Sequence, residues 1–505
     1  MLQHTHPMKL RKTKQEVIYN DVEILDAASE GMSIAKINSD GPDNGMVVFV
    51  PFVVPGDIID LKVFKKKKNY AEGRAVAIKT PSTKRVQPQC PHFGTCGGCK
   101  WQTLNYEEQL VFKQKQVKDN LERLGNVDTS LMRTICGSDN IYYYRNKLEY
   151  TFSTKRWRTT EEMDATDKET LANDPGALGF HAPSLFDKVL NIEHCALQKD
   201  PSNAIRLAIR DYALSHGLPF YDIRNHNGFL RNIIIRNSTI GEWMVVVVVS
   251  TGSDPNEQHL PQQAESMLFP LLDMVKERFP EITSLQYIVN NKYNDTYTDL
   301  DVVTYYGKDH IVETMEGYRG SKSLRFKINP KSFFQTNSLQ AQKLYSFIAE
   351  FADLKGHETV YDLYTGTGTI ALFLAGQCNK VVGIEYVEEA IEDAKANAAY
   401  NGYDNTSFFA GDMAKVLTQE FIASHGRPDI IVTDPPRAGM HEKVIDQLLL
   451  TEAERIVYVS CNPATQARDL ALLASKYQVG RIQPVDMFPH TQHVENVVEL
   501  ILKKQ

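Results

Sequence analysis

One of the seven cysteines in this chain of 505 residues stands where a nucleophile would be useful. Cys461 follows Arg455-Ile-Val-Tyr-Val-Ser460 and precedes Asn462-Pro463, so it falls where a strand ends and a helix begins. Side chains at the carboxyl ends of strands in an open α/β sheet face the ligand crevice. A thiol with the ordinary pKa of about 8.5 is only a few per cent thiolate at neutral pH, so such a site is expected to lower it, through the N-terminus of the helix from Pro463. A covalent adduct made by addition must be undone by elimination, which needs a proton acceptor. Glu495, in His490-Thr-Gln-His493-Val-Glu495 at the start of the last strand, is that acceptor, with His490 and His493 as alternatives. The competing reading of Cys461 is a small buried hydrophobe.

A second constellation is a cofactor site. One strand ends in Asp362-Leu-Tyr-Thr-Gly-Thr-Gly-Thr-Ile370, where Gly366 and Gly368 permit a tight turn against a ligand. The next strand ends in Glu385, placed to accept hydrogen bonds from both hydroxyls of a ribose, and the third ends in Gly411-Asp412, within reach of an adenine. The third glycine of a dinucleotide loop is missing, which favours S-adenosylmethionine over NAD. The fourth strand ends in Asp434-Pro-Pro-Arg437. Amino-methyltransferases carry an aromatic at the last position of that tetrad, so Arg437 disfavours methylation of a base nitrogen. A methyl donor beside a thiol suits carbon 5 of a uracil. That carbon is too poor a nucleophile on its own, and thiolate addition to carbon 6 makes an enolate that loads carbon 5 with electron density.

Cys90, Cys96 and Cys99 fall within ten residues, a clustering that suggests a metal. Five residues separate the first two, so the C-x-x-x-C-x-x-C pattern of radical S-adenosylmethionine enzymes is absent. Cys136 and Cys378 read as ordinary buried cysteines.

The elements around these residues fall into three segments. Residues 10–80 read as five short strands, Val17–Leu25, Ser33–Asn38, Met46–Val50, Asp57–Lys65 and Tyr70–Lys79, an OB-type barrel of the kind that binds single-stranded nucleic acid. Residues 81–335 read as mixed α+β, with an amphipathic helix over 105–124 whose face is Leu110, Val111, Val117, Leu121 and Leu124, and a mobile acidic insertion at Thr159–Asp174. Residues 336–505 alternate strand and helix, a doubly wound, Rossmann-like α/β sheet. The net charge is −7, yet the first 100 residues hold 15 Lys and Arg against 10 Asp and Glu, a basic module on an acidic body. Tyr142-Tyr-Tyr-Arg145-Asn-Lys147 and Leu230-Arg231-Asn-Ile-Ile-Ile-Arg236 mix aromatic or apolar residues with cations as RNA-binding surfaces do. No apolar run of about 18 residues and no secretory signal is visible, so a cytoplasmic protein without a membrane partner, and a monomer, is expected.

Together the motifs Ser332-Phe-Phe-Gln-Thr-Asn337, Asp362-Leu-Tyr-Thr-Gly-Thr-Gly368, Asp434-Pro-Pro-Arg437, Ser460-Cys-Asn-Pro463 and His490-Thr-Gln-His-Val-Glu495 resemble the RNA uracil-C5 methyltransferases over nearly the whole chain. The closest likeness is to the iron–sulfur branch that modifies 23S ribosomal RNA. The resemblance implies a TRAM barrel at the N-terminus, a central α+β domain carrying a 4Fe–4S cluster and a C-terminal S-adenosylmethionine-dependent catalytic domain. It implies Cys461 as nucleophile and Glu495 as proton acceptor. Gln335, Tyr364, Glu385 and Asp434 correspond to the S-adenosylmethionine contacts, and Asp434 also to a contact of the target uracil. Cys90, Cys96, Cys99 and the remote Cys195 correspond to the cluster ligands, which by chemistry alone would equally hold zinc. Many members have Cys and Asn where this chain has Thr365 and Thr369, so those two are not assigned as contacts. The target uridine must flip out to reach Cys461, with Phe333 or Phe334 as stacking partner. The alternatives are a tRNA uridine methyltransferase, an amino-methyltransferase, and a non-enzymatic RNA-binding protein on this scaffold.

Overall fold

The computed structural model describes residues 17–172, 174–252 and 254–504. The chain divides into two compact units, one of the residues up to 88 with 100–108, the other of 89–99 with 109–505.

In the first unit the strands Val17–Ala27, Met32–Lys36, Val47–Pro51, Ile58–Lys66 and Tyr70–Thr80 close into a barrel in the order first, second, third, fifth, fourth. Alternation turns Ile24, Val48, Val50, Ile59 and Leu61 inward. Register shifts along the fourth and fifth strands bend them enough for so small a barrel to close. The lysine run lies at the turn between these two, as its pattern predicts, and part of its charge is locally neutralised: Lys65 pairs with Glu72 at 2.7 Å and Lys66 with Asp43.

The second unit holds two seven-stranded sheets. The central one runs Val303–Gly307, Ile282–Val289, Trp243–Val249, Leu230–Asn237, Lys147–Ser153, Ala177–His181, Val189–Asn191. Both faces of its middle strands are covered, which is why Trp243–Val249 is apolar at nearly every position and buried throughout. The last sheet runs Thr406–Ala410, Lys380–Glu385, Thr359–Leu363, Ile430–Thr433, Arg455–Ser460, Glu495–Leu502, Tyr477–Val485. Its first five strands are parallel and Glu495–Leu502 enters antiparallel beside Arg455–Ser460. This is the doubly wound sheet expected from the strand–helix alternation. No described helix is long and apolar enough to cross a membrane.

Two expectations fail for physical reasons. The helix Tyr106–Gly125 buries Gln109, Lys113, Val117, Leu121 and Gly125, while Val111 and Leu124 stay exposed. A strictly apolar face was expected, but Lys113 is drawn inward by Asp486, 2.6 Å from its ammonium in a fully buried ion pair, and Gln109 accepts from the backbone N–H of His490 at 2.8 Å. Among the described residues of Thr159–Asp174, where a mobile insertion was expected, two short helices lie. Helices Thr160–Ala165 and Lys168–Ala172 form there, the first with a capping box from Thr159 and Glu162, and Arg158 closes the segment on Asp174 at 2.5 Å.

Candidate active site

The register of the last sheet brings the reactive groups together. Ser460 pairs with Asn496 across the antiparallel ladder, so the next residue on each strand sets Cys461 opposite Glu495, at the carboxyl end of the parallel strands. The helix Pro463–Leu473 fixes this junction. Asn462 caps it by accepting from Ala464 N at 3.2 Å. Gln466 donates to the carbonyls of Tyr458 (3.0 Å) and Asn496 (3.1 Å), and its own carbonyl oxygen accepts from the Asn496 amide at 2.8 Å. The Asp434–Arg437 turn is stapled to the same helix, since the Arg437 carbonyl accepts from Asn462 Nδ2 (3.0 Å) and Thr465 Oγ1 (3.1 Å). Buried Asp469 holds the end of that turn through the Met440 N–H at 2.8 Å.

Burial pushes the Cys461 thiol up to about 11, with the charges of Glu495 and Asp434 adding to it and that of Arg437 opposing. The helix N-terminus was expected to lower this pKa, and that expectation is corrected. Two acids on neighbouring strands and a half-buried sulfur outweigh one guanidinium and a helix end. Glu495 itself is raised well above the ordinary carboxylate range by burial and by Asp434. Asp434 is raised by burial. The buried Glu495 carboxyl and the half-buried Asp434 carboxyl therefore titrate as a pair that resists double ionisation. Arg437 is the residue that the sequence undervalued: its place in the tetrad excluded one chemistry without announcing a cation aimed at the thiol.

The histidines serve otherwise. His490 is buried, its ring stacked on Tyr142 with centroids 4.3 Å apart, and its Nδ1 lies 3.2 Å from the Gln109 amide. His493 is pushed down to about 4 by burial and by nearby cations, Arg437 first among them, so it stays neutral at pH 7.

The cofactor residues converge from three strands. Tyr364, Gly366 and Gly368 all take left-handed φ (63°, 54° and 78°). At Gly368 a Cβ would lie 3.0 Å from Ala394 Cβ and 3.3 Å from the Phe408 ring, so only glycine fits. The Glu385 carboxylate accepts from the N–H groups of Gly366 (3.1 Å), Tyr386 (2.7 Å) and Val387 (3.1 Å). Asp362 accepts from Thr365 Oγ1 (2.5 Å) and Ala371 N (3.0 Å), while its Oδ1 is buried without a partner among the described residues. Burial pushes that carboxyl up to about 7. Thr369 hydrogen-bonds the buried Tyr345 hydroxyl at 3.1 Å, so both departures from the family pattern have structural partners. A cavity of about 320 Å³ opens beside this loop, lined by Tyr364, Tyr386, Asp412, Met413, Lys415 and His441. Gln335 is buried, its backbone carbonyl accepting from Asn146 Nδ2 at 2.9 Å. Phe334 packs into the core against Phe326, whereas Phe333 is 69% exposed.

Of the two cation-bearing segments expected to touch RNA, Leu230–Arg236 is internal, whereas in 142–147 Tyr143 is exposed and Tyr142, Arg145 and Lys147 are half-buried. Arg231 is buried and donates to the carbonyls of Asn290, Lys292 and Asn294 and to Asp295 at 2.6–2.9 Å. Arg236 is buried and donates to the Ser332 carbonyl at 2.7 Å. Tyr144 donates to the Pro489 carbonyl at 3.0 Å and Arg145 lies over the Phe488 ring, so these residues brace the loop that leads to Glu495. Cys195 is pushed up to about 11 by burial, with Cys90 and Cys96 adding to it, and Cys99 and Cys90 both act on Tyr142. The four thiols thus share one region. Among the described residues, however, no three His, Cys, Asp or Glu side chains stand in metal-holding geometry.

The profile of the tRNA (Uracil-5-)-methyltransferase family matches residues 303–504, and that of the TRAM domain residues 14–76. An uncharacterized RNA methyltransferase of Bacteroides thetaiotaomicron is 56% identical over 94% of this chain and all of its own length. One of Porphyromonas gingivalis is 52% identical over 95% of this chain and 99% of its own. Among solved structures, the tRNA (uracil-54, C5)-methyltransferase of Pyrococcus abyssi in complex with S-adenosyl-L-homocysteine is similar over 95% of this chain and all of its own, with a TM-score of 0.69 and 26% identity.

Reactivity of the thiol tests the electrostatics directly. Glu495→Gln removes one charge that raises the Cys461 pKa, so at pH 9 alkylation of Cys461 by iodoacetamide should accelerate, about tenfold for each unit by which the pKa falls. Arg437→Met should slow it. Peptide mass spectrometry of the Cys461 fragment reads both, and equal rates in all three proteins would show that these charges do not act on the sulfur.

Proposed function

Because the chain belongs to the RNA uracil-5-methyltransferase family and uses S-adenosylmethionine, we propose that it methylates carbon 5 of a uridine in 23S ribosomal RNA through a covalent bond from Cys461 to carbon 6. The observation that carries the reading is the register Ser460 to Asn496 between adjacent strands, which sets the next residues, Cys461 and Glu495, opposite each other. In the proposed sequence Cys461 releases its thiol proton to solvent, the thiolate adds to carbon 6 of a flipped-out uracil and the electron pair moves toward carbon 5 and the carbonyl at carbon 4. Carbon 5 takes the methyl group from the donor sulfur. Glu495 then removes the carbon-5 proton, and the electrons of that C–H bond rebuild the double bond as the Cys461–carbon 6 bond breaks. Burial raises the basicity of Glu495, which suits it to take a weakly acidic C–H proton. Arg437 stabilises the thiolate as it forms. Protonated Asp434 donates a hydrogen bond to the uracil, and its other oxygen faces the donor.

For the cofactor, Glu385 takes the ribose hydroxyls, Tyr364 and the cavity beside it take the adenine, and Gln335 and Asp434 border the methionine end. The unpartnered Asp362 Oδ1 supports this, because the ammonium group of the methionine moiety supplies the missing donor. Cys90, Cys96, Cys99 and Cys195 hold a 4Fe–4S cluster that ties the segment before residue 100 to the central sheet. The donor set, four thiolates, supports that assignment over an oxygen-ligated metal, and no chemical step passes through it. The functional divisions are 10–80, 81–335 and 336–505, in a cytoplasmic monomer. Transfer RNA is the second reading, favoured by the substrate named for the matching family and for the Pyrococcus abyssi enzyme.

Cys461→Ala should abolish methyl transfer, and Glu495→Gln should lower turnover by about 10²–10⁴ while protein–RNA adduct accumulates. Full activity in Cys461→Ala would end the covalent scheme. Nucleoside mass spectrometry of RNA from a deletion strain should show 5-methyluridine lost from 23S rRNA, and loss from tRNA alone would establish the second reading. Protein purified without oxygen should contain about four iron and four sulfide per chain and show broad visible charge-transfer absorption, both lost in Cys195→Ser. Stoichiometric zinc instead would refute the cluster.

A further inference from the structure

We propose that the hairpin Ile311–Met315/Leu324–Ile328 and the helix Glu388–Asn401 carry a track for single-stranded RNA, leading the strand that flanks the target nucleotide past Lys322, Arg325, Tyr400, Lys327 and Lys331 to the exposed ring of Phe333. The proposal rests on the reading of this chain as an RNA-modifying enzyme and gives that substrate a surface.

Alternation along Leu324–Ile328 buries Leu324, Phe326 and Ile328 and turns Arg325 and Lys327 to the opposite face. The free edge of the hairpin is closed by a helix instead of a third strand. Asn401 accepts from Arg325 N (2.9 Å) and donates to Arg325 O (2.7 Å), and Asn397 accepts from Lys327 N (2.8 Å). These amides imitate a strand partner and lock the register of strand against helix. That register sets two cations against the ring of Tyr400, the Arg325 guanidinium at 4.9 Å and the Lys327 ammonium at 5.0 Å from its centroid. Lys322 reaches the same end of the helix, donating to the Asn401 carbonyl at 2.6 Å.

None of Lys322, Arg325, Lys327 and Lys331 has a carboxylate within 4.0 Å among the described residues. Asp309, whose charge acts with that of Lys327, is already bound to His310, and Asp299, which acts with Lys331, is bound to Lys292. Uncompensated cations around an aromatic face are unexpected on the acidic part of the chain, where a solvated strand would be paired. A polyanion that also offers flat rings supplies both missing partners. Bases stacked inside a duplex cannot use Tyr400, which selects a single strand.

The track has a destination. Beyond Ile328 the chain is tied down by Asp393, which accepts from Asn329 Nδ2 (2.7 Å) and Ser332 Oγ (2.6 Å). It then presents Phe333, whose carbonyl accepts from Thr367 of the cofactor loop at 3.3 Å. A strand following the cations therefore arrives beside the donor.

Full-length protein is titrated against a fluorescein-labelled 15-nucleotide single-stranded RNA of mixed sequence, with anisotropy read at several KCl concentrations. Each lost phosphate contact should flatten the plot of log K against log salt by about 0.7, so Arg325→Glu with Lys327→Glu should flatten it by about 1.4 and weaken binding at low salt at least about tenfold. Tyr400→Ala should weaken binding without changing the slope. Unchanged S-adenosylhomocysteine affinity shows that the variants are folded, and the Arg325→Gln, Lys327→Gln pair replaces the charge reversal if it is not. Wild-type affinity and slope in the double variant overturn the track, as does an equal loss for a 15-base-pair duplex. Wild-type protein that makes no 5-methyluridine refutes the functional reading instead, whatever the slopes.

Discussion

The crowding of two carboxyls, buried Glu495 and half-buried Asp434, around one sulfur whose charge Arg437 partly offsets is the constraint on which the site depends. Each member raises the cost of charging its neighbours. Burial and mutual repulsion push the Glu495 carboxyl and the Cys461 thiol upward, and Arg437 alone opposes them at the sulfur. The resting site thus favours a protonated thiol, and ionisation of Cys461 is tied to the protonation state of the acids facing it. In the proposed mechanism that coupling is useful twice. A uracil ring brought between these groups displaces them from one another, and the acid that later removes the carbon-5 proton is a stronger base than any exposed carboxylate.

Such an arrangement persists only if rigid elements impose it, and the surrounding structure does so from three directions. The helix Pro463–Leu473 binds both the strand that ends at Ser460 and the strand that starts at Glu495. The same helix holds the Asp434–Arg437 turn. Behind Glu495, the loop 486–494 is braced by Lys113 and Gln109 from one helix and by Tyr142, Tyr144 and Arg145 from the segment that leads into strand Lys147–Ser153. Asn337 adds a bond to the Met487 carbonyl at 3.0 Å. The motif Ser332–Asn337 thereby braces both the 366–368 loop, through Phe333, and the loop that leads to Glu495.

The fold was largely legible because its signals are local. Fully buried parallel strands read as apolar runs, and Gly366 and Gly368 mark a loop that little else permits. Cys461 and Glu495 were legible as residues at strand ends. Where charged groups turn inward, sequence reasoning fails for a definite reason. An arginine that clamps carbonyls, as Arg231 does, has the same spacing as one on a wet surface, so two internal braces looked like RNA contacts. Lys113 breaks an apolar helix face because its partner lies 373 residues away. The thiol pKa was misjudged because it depends on carboxylates from two other strands, whose distance no local pattern encodes. The cation ladder beside Tyr400 was invisible for the same reason: Arg325 and Lys327 meet that ring only after two asparagines fix the strand on the helix.

The covalent step is tested most directly with RNA in which the target uridine is 5-fluorouridine. Fluorine on carbon 5 leaves no proton for Glu495 to remove, so methyl transfer should stall with the protein attached to RNA. The expected result is a denaturation-stable adduct that requires S-adenosylmethionine and maps by mass spectrometry to Cys461. Methyl transfer to ordinary uridine RNA together with no adduct on the fluorinated substrate, or an adduct on any other residue, would contradict the account.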